Sequence, residues 1–318
     1  MKTLRFLVAS ALFFALSGAA RAQDRTIHVV VPLLAGAATD VVTRTFVAAL
    51  SQRLGQSIVV ENKAGGATTL GTMHVVKSPP DGLTLLSATT STLCVLPNVQ
   101  KLAFDPQKDL VPIVAFSISP FVYGVSADSK YATIGDFLAA AKANPGKLTF
   151  GSSGTGTLTH MVVELLSVVA KVQFTHVPYK GVTGAYADVI GGRVDFLADG
   201  PASMLAQVRG NRMRAVVVTA PQRLPTLPNV PTVAEIGLAG AEADFTGGLL
   251  APAGTPAAVL ARYEAAALEV ARSTAFREYL ATQGYEPLAA DRAQFAQLIR
   301  DGLGKWERVV KERGIKVD

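Results

Sequence analysis

The sequence predicts an α/β protein with two lobes and a ligand cleft between them. Short β-branched segments alternate with amphipathic helical segments, a pattern typical of mainly parallel sheets. The chain has 318 residues, which is more than one hydrophobic core usually holds, so two lobes are expected. The alternation restarts after a long extended segment, which indicates that the chain leaves one sheet and begins another.

The first series of elements begins the first lobe. Its strands are predicted at 27–32, 57–60 and 83–87, and its helices at 39–54 and 69–77. The strands are short, rich in valine, isoleucine and leucine, and bounded by turn residues, as buried strands are. These elements form the α/β units of the first lobe.

An extended apolar segment, 113–125, is expected to cross to the second lobe, which is placed at 126–222. The alternation begins again there. Helices are predicted at 134–142, 158–170, 185–190 and 202–208, and strands at 148–150, 174–178, 195–197 and 215–219.

A proline-rich segment, 223–231, is expected to return the chain to the first lobe. One strand at 246–251 follows, and then helices are predicted at 256–272, 274–283 and 292–313. These helices need a sheet to cover, so the first lobe would consist of 23–112 and 232–318. Because α/β sheets bind ligands at the carboxyl ends of their strands, the cleft between the lobes is the expected binding site.

Residues 1–22 have the pattern of a secretory signal peptide. Lys2 and Arg5 precede an uncharged apolar run at 6–16, and the A-x-A pattern of 20–22 (Ala-Arg-Ala) predicts cleavage after Ala22. The run is shorter than the about 20 residues that cross a bilayer, and no cysteine at the cleavage site could carry a lipid anchor. We expect a periplasmic protein; an uncleaved membrane anchor is the alternative.

The charge and the cysteine content exclude several classes of partner. The formal net charge is +6, and the basic residues are scattered, so nucleic acid is not an expected partner. The four histidines lack zinc-ligand spacing, so no metal site is predicted. The single cysteine, Cys94, cannot form an intramolecular disulfide and is expected to be a buried thiol.

The common enzyme motifs are missing from the sequence. Neither G-x-G-x-x-G nor G-x-x-x-x-G-K occurs, so no nucleotide or other cofactor is predicted. G-x-S-x-G is also absent. A hydrolase that used Ser153 and His160 is an alternative, but no acid stands at a recognisable spacing to orient the histidine. We therefore expect no catalytic residues and no enzymatic activity.

Loops of small and hydroxyl residues follow several predicted strands. They lie at 35–40, 88–92 and 151–157. Backbone N–H groups at helix N-termini, together with Ser and Thr hydroxyls, bind anions without an arginine, so these loops predict a carboxylate site. The candidate ligand-binding residues are Gly36, Ala37, Ala38, Thr39, Asp40, Thr90, Ser91, Ser152, Ser153, Gly154, Thr155, Thr157, His160, Tyr179, Lys180, Gly181 and Asp199.

Several candidates have a structural alternative. The loop at 151–157 is also a plausible Gly/Ser turn that caps the next helix, and His160 would then cap or pack rather than bind. Asp40 is equally consistent with a first-turn charge that the helix dipole favours. Asp199 either holds a water or a ligand amino group, or is a turn residue. For Lys180 the alternative is a plain surface residue.

A series of segments occurs in an order typical of one known family. They are 31–40 (VPLLAGAATD), 60–66 (VENKAGG), 80–86 (PDGLTLL), 151–160 (GSSGTGTLTH), 176–181 (HVPYKG), 191–195 (GGRVD), 230–237 (VPTVAEIG) and 251–256 (APAGTP). With these segments the chain resembles the Bug-type substrate-binding proteins, the extracytoplasmic receptors of tripartite tricarboxylate transporters. The resemblance covers the whole chain after residue 22.

The resemblance implies a type II periplasmic-binding-protein fold whose two lobes, joined by two crossing strands, close on a small carboxylate. It implies that backbone groups, hydroxyls and waters of the loops hold the carboxylate, and that a membrane permease receives the ligand. A sensor kinase ectodomain is the alternative partner, and a monomer is expected. Two positions near the expected cleft depart from the family. The segment 33–37 usually has an aromatic residue, a proline and paired glycines, and Phe245 stands where tryptophan is common.

Overall fold

The computed structural model describes residues 26–131 and 133–317. The predicted signal peptide, 1–22, lies outside the described residues. None of the helices in the described ranges is long and apolar enough to cross a membrane. The described chain forms two domains, each built on one β-sheet with helices packed against it.

A six-stranded mixed sheet forms the first domain. Its strands are β1 (Ile27–Val31), β2 (Ile58–Asn62), β3 (Thr84–Thr89), β4 (Leu110–Pro120), β10 (Asp244–Pro252) and β11 (Glu286–Ala290), in the order β11-β4-β10-β3-β1-β2. The helices of this part are α1 (Ala38–Leu54), α2 (Thr69–Val76), α3 (Leu96–Val99), α8 (Ala257–Arg272), α9 (Thr274–Thr282) and α10 (Arg292–Arg313). β1 pairs in parallel with β2 and β3, whereas β10 is antiparallel to β3 and β4.

A five-stranded sheet forms the second domain. Its strands are β5 (Val122–Ser126), β6 (Thr149–Ser152), β7 (Thr175–Pro178), β8 (Phe196–Asp199) and β9 (Met213–Val218), in the order β7-β6-β8-β5-β9. Its helices are α4 (Ile134–Ala143), α5 (Leu158–Ala170), α6 (Val182–Ile190) and α7 (Pro201–Arg209). β6 is parallel to β7 and β8, and β5 is antiparallel to β8 and β9.

The chain passes between the sheets at two neighbouring points. β4 ends in the first sheet at Pro120 and β5 begins in the second at Val122, so this change of sheet is narrower than the predicted segment 113–125. The return passage leads from β9 to β10. The buried Thr219 side chain joins the two passages, because it accepts a hydrogen bond from the Phe121 N–H at 2.8 Å and donates one to the Ala243 carbonyl oxygen. The lobe boundaries along the chain remain a prediction.

The hydrophobic core continues from one domain into the other. One face of the first sheet packs on α1 and α8, with Phe46 and Phe116 stacked at a centroid distance of 4.2 Å. A second cluster contains Phe150 and Val162 of the second domain together with Trp306 of α10. α10 packs against α5 as well as against β4, so it contacts both domains.

The Cys94 thiol packs against α10. It is 3% exposed, and burial raises its pKa to about 12. A Cβ atom on Gly302 of α10 would lie only 2.7 Å from the Cys94 sulfur, so glycine allows this close approach. The thiol is buried, as the sequence predicts.

Replacing Thr219 by valine tests the hydrogen bonds that connect the two passages. Thr219→Val keeps the shape of the side chain but leaves the buried Phe121 N–H without its partner, which should lower the free energy of unfolding by about 1–3 kcal/mol. Thermal or urea unfolding measures this loss. The exposed Thr226→Val serves as the control and should change stability by no more than about 0.5 kcal/mol. Equal stability of the two variants would contradict a structural role for Thr219.

Candidate functional site

A cavity of about 420 Å³ lies between the two domains, beside the passage at Phe121. The first domain contributes Ala38, Ser91, Ser119, Pro120, Phe245, Gln283, Gly284 and Tyr285 to its wall. The second domain contributes Ser153, Thr157, Leu158, Thr159, Asp199, Gly200, Pro201, Ala202 and Ser203. Both domains therefore form the cavity, as expected of a cleft that closes on a ligand.

The structure brings part of the predicted site together at this cavity. Ala38, Ser91, Ser153, Thr157 and Asp199 line it. The other candidates do not contribute to its wall: Gly36, Ala37, Thr39, Asp40, Thr90, Ser152, Gly154, Thr155, His160, Tyr179, Lys180 and Gly181. The predicted loops thus reach the cavity mainly through one or two residues each, and their ligand-binding roles stay predictions.

Helix N-termini and hydroxyl groups converge on the cavity. α1 begins at Ala38 and α5 at Leu158, and neither helix has a side-chain cap at its N-cap residue. The Ser153 N–H donates to Thr159 Oγ1 at 3.0 Å, and Ser153 Oγ lies within hydrogen-bond distance of Thr159 Oγ1 at 2.8 Å. Thr157 Oγ1 donates to the Gly154 carbonyl oxygen at 2.7 Å. The hydroxyls are thus held in place before any ligand arrives.

Asp40 braces the first loop from inside the protein. Its buried carboxylate accepts hydrogen bonds from Arg44 Nε at 3.0 Å, the Gly36 N–H at 2.9 Å and Asn62 Nδ2 at 2.9 Å. Burial by itself would raise the pKa of Asp40, but these hydrogen bonds outweigh burial and hold the pKa below its usual value. An ionised Asp40 therefore orders the turn that leads into α1.

A pair of stacked histidines lies behind the loop at 151–157. The rings of His160 and His176 stack at a centroid distance of 3.9 Å. His160 Nδ1 accepts a hydrogen bond from the Gly156 N–H at 3.1 Å, and His176 Nε2 shares one of 2.6 Å with Ser152 Oγ. Burial and the neighbouring His160 lower the pKa of His176 to about 4. Both rings are therefore structural supports of the loop.

An ion pair between a buried glutamate and a partly exposed arginine connects this support to the other domain. Glu164 on α5 accepts a hydrogen bond from Arg313 Nε, at the end of α10, at 2.5 Å. Its other carboxylate oxygen lies 3.6 Å from His160 Nε2. Burial alone would raise the pKa of Glu164, but His160 and Arg313 outweigh it, so the pKa lies below its usual value.

Asp199 is the acidic residue of the cavity wall. Tyr186 donates a hydrogen bond to its carboxylate at 3.1 Å, and burial raises the pKa of Asp199. Burial, together with the charge of Asp199, raises the pKa of Tyr285 to about 12. Among the described residues that line the cavity there is no lysine, arginine or histidine. Any negative charge on a ligand must therefore be held by neutral donors.

The other candidates have structural partners outside the cavity. Thr90 Oγ1 accepts a hydrogen bond from the Thr246 N–H at 2.9 Å, which ties the end of β3 to β10. The Tyr179 hydroxyl donates to Asp188 at 2.5 Å, and Lys180 is exposed. The Gly181 N–H donates to the Ser153 carbonyl oxygen at 3.4 Å, so the turn at 179–181 supports the loop from behind.

Sequence reasoning missed a large part of the cavity wall. Ser119 and Phe121 lie where the chain changes sheets, and 283–285 lies between α9 and β11. Neither segment has a local motif, because its place in the wall depends on how the domains pack. Phe245 was the exception, since its departure from the common tryptophan pointed to the cleft.

Comparison with known proteins agrees with this architecture. The model of the tripartite tricarboxylate transporter family receptor (TctC) matches residues 42–315. The chain belongs to this family. A UPF0065 protein from the tcbD-tcbE intergenic region of Pseudomonas sp. strain P51 is 35% identical over 91% of this chain and 86% of the relative. BugT of Bordetella pertussis is 30% identical over the full length of both chains.

Solved structures of similar proteins share the fold of this TctC-family chain. A structure described as a periplasmic transporter is 34% identical, with a TM-score of 0.77 over 92% of this chain and 99% of the other. Malate-bound MatC of Rhodopseudomonas palustris is 30% identical, with a TM-score of 0.75 over 90% and 99%. An adipate-bound R. palustris protein is 28% identical, with a TM-score of 0.78 over 92% and 98%. The two-domain periplasmic-binding-protein fold is thus confirmed.

The lowered pKa of His176 predicts a specific loss of stability in acid. The pKa is 6.5 for an ordinary histidine and about 4 here, so below pH 6.5 the unfolded chain takes up a proton that the folded chain does not. Stability should therefore fall between pH 6.5 and pH 4, by at most about 3 kcal/mol from this residue. Urea unfolding of His176→Gln should show a shallower loss over this interval. His74 is exposed, so His74→Gln should lose stability with falling pH as the unchanged protein does. If His176→Gln lost stability in the same way as His74→Gln, His176 would not be the group responsible for the loss.

Proposed function

We propose that the protein is an exported periplasmic receptor that binds a small carboxylate between its domains and delivers it to a permease of the tripartite tricarboxylate type. The convergence of two helix N-termini and a hydroxyl cluster on the interdomain cavity carries this proposal. Helix N-termini favour anions through their free N–H groups and their dipole. Membership of the receptor family supports the same function.

Structures of relatives with bound ligands support a carboxylate as the ligand. The structures of MatC with malate and of an R. palustris protein with adipate contain dicarboxylates, and both share the fold of this chain. In this chain the Ser91 hydroxyl would donate to the ligand carboxylate, and the Ser153 hydroxyl would do so by turning away from Thr157. Thr157 would keep its hydrogen bond to the Gly154 carbonyl oxygen and hold the loop in place. The N-terminal turns of α1 and α5 would add backbone donors from the two sides of the cleft.

Binding would stabilise the closed arrangement of the domains. A ligand that contacts Ser91 on one wall and Ser153 on the other favours the state in which both contacts form, and it shifts the equilibrium by that difference in affinity. The narrow passages at Phe121 and Thr219 are suited to act as the hinge. The closed surface would then be recognised by the permease. The signal pattern of 1–22 supports export to the compartment where this occurs.

A binding protein fits the geometry better than an enzyme does. Ser153 directs its hydroxyl to Thr157 and Thr159 rather than to His160. Ser152 does contact a histidine ring, that of His176, but Ser152 is completely buried, so no substrate could reach it. The pair of Ser152 and His176 therefore supports the loop and does not form a nucleophile with its base.

Filling the cleft should abolish binding without unfolding the protein. We expect Ser91→Leu combined with Ser153→Leu to remove the hydroxyls and occupy the cavity from both walls. The measurement is a thermal-shift screen of the chain without residues 1–22 against amino acids, di- and tricarboxylates, aromatic carboxylates and neutral sugars. A ligand at about 100 times its Kd should add roughly 2.7 kcal/mol of stability to the unchanged protein and none to the double variant.

The control is Ser129→Leu, on the second domain away from the cleft, which should respond as the unchanged protein does. A response to sugars but to no carboxylate would refute the proposed ligand class. Equal ligand responses from the double variant and the control would refute the cleft as the binding site.

A further inference from the structure

The cavity has an aromatic wall. Phe245 and Tyr285 lie with their ring centroids 6.5 Å apart and their planes at 63°, and Phe121 lines the cavity beside them. Phe245 and Tyr285 are only partly buried, in contrast to the fully covered core rings of Phe46 and Phe116. Part of their surface is therefore available to a ligand.

The two domains touch next to this wall. A Cβ atom on Gly284 would lie 2.9 Å from the Ala202 Cβ across the domain boundary, so the two segments are in direct contact there. Ser119 Oγ donates to the Gly284 carbonyl oxygen at 3.3 Å and helps to fix the segment that precedes Tyr285. Pro201 and Ala202 line the cavity from the second domain. A ligand that packs on Tyr285 would therefore lie beside the contact between the domains.

The charges allow one carboxylate rather than two. The described part of the wall has no cationic side chain, and its acidic residue, Asp199, cannot neutralise an anion. The hydroxyl groups and helix N-termini can hold one anionic group. A second carboxylate would have no cation to pair with, and an unpaired charge in a poorly solvated site is unfavourable.

We infer that the cleft takes an aromatic monocarboxylate, with its carboxylate at Ser91 and Ser153 and its ring against Phe245 and Tyr285. This inference rests on the proposed function, because it specifies the ligand class of the same site. An offset or edge-to-face contact with these rings adds affinity for a planar aromatic body beyond the burial of its area.

Calorimetric titration with four probes tests the inference. Benzoate and cyclohexanecarboxylate have the same charge and nearly the same size but differ in planarity, while adipate and glutamate carry a second carboxylate. We expect benzoate to bind about tenfold more tightly than cyclohexanecarboxylate. A tenfold ratio corresponds to about 1.4 kcal/mol, which is near the upper end of the stabilisation that an aromatic pair adds beyond burial of its area. Benzoate should also bind more tightly than adipate and glutamate.

Variants separate the two parts of the argument. Phe245→Leu together with Tyr285→Leu should reduce the preference for benzoate over cyclohexanecarboxylate to about equality. Phe104→Leu, which removes a buried ring outside the cavity, should leave the preference unchanged. Ala38→Lys should strengthen adipate binding relative to benzoate, because it supplies the cation that the described wall lacks.

The outcomes distinguish this inference from the proposed function. Tighter binding of adipate or glutamate than of benzoate, or equal binding of benzoate and cyclohexanecarboxylate, would overturn the inference and leave the carboxylate receptor intact. Failure of every probe to bind would overturn the inference. If every carboxylate of the wider screen also failed, the proposed function would be overturned as well.

Discussion

The cleft exists because the chain passes between its two sheets twice, at adjacent positions. β4 and β10 are neighbours in the first sheet, and β5 and β9 are neighbours in the second. Both passages therefore begin and end beside each other, and Thr219 ties them together with a hydrogen bond to each. The domains are connected along one edge and can enclose a cavity along the rest of their boundary.

A second connection joins the two domains through α10. α10 packs on both domains, and its last turn supplies Arg313 to the buried Glu164 of α5. Removing one partner of such a pair is costly, because the remaining buried charge is left without compensation. Glu164 also lies next to His160, whose ring receives the Gly156 N–H. The contact between the domains is thus physically continuous with the loop that lines the cavity.

Much of the fold could be predicted because hydrophobic periodicity is a local property. The helix predicted at 292–313 coincides with α10, β1 lies within its predicted range, and β3 overlaps its predicted range but extends two residues beyond it. β11 was missed, since Glu286–Ala290 contains Pro287 and no β-branched residue. This strand forms only because β4 offers an edge to pair with. Its existence depends on tertiary structure that a local pattern does not contain.

The site was predictable only in part for a related reason. Parallel strands place their carboxyl ends at one edge of a sheet, so loops rich in hydroxyl groups could be expected to meet there. The direction of each side chain depends on its neighbours. Asp40, in a predicted loop, turns inward to Arg44 and Asn62. His160, in the first turn of the helix that follows another predicted loop, stacks on His176. Tyr285 reaches the cavity from a segment that no motif marks.

The burial and the raised pKa of Cys94, the single cysteine of the sequence, make the protein suitable for site-specific labelling. Cys94 is 3% exposed and its pKa is raised to about 12, so at neutral pH it is neither accessible nor a thiolate, the form that reacts with alkylating reagents. A cysteine introduced on the rim of the cleft would therefore be the group that a maleimide dye modifies in the folded protein. Fluorescence from such a dye would report domain closure directly, with the native cysteine left in place.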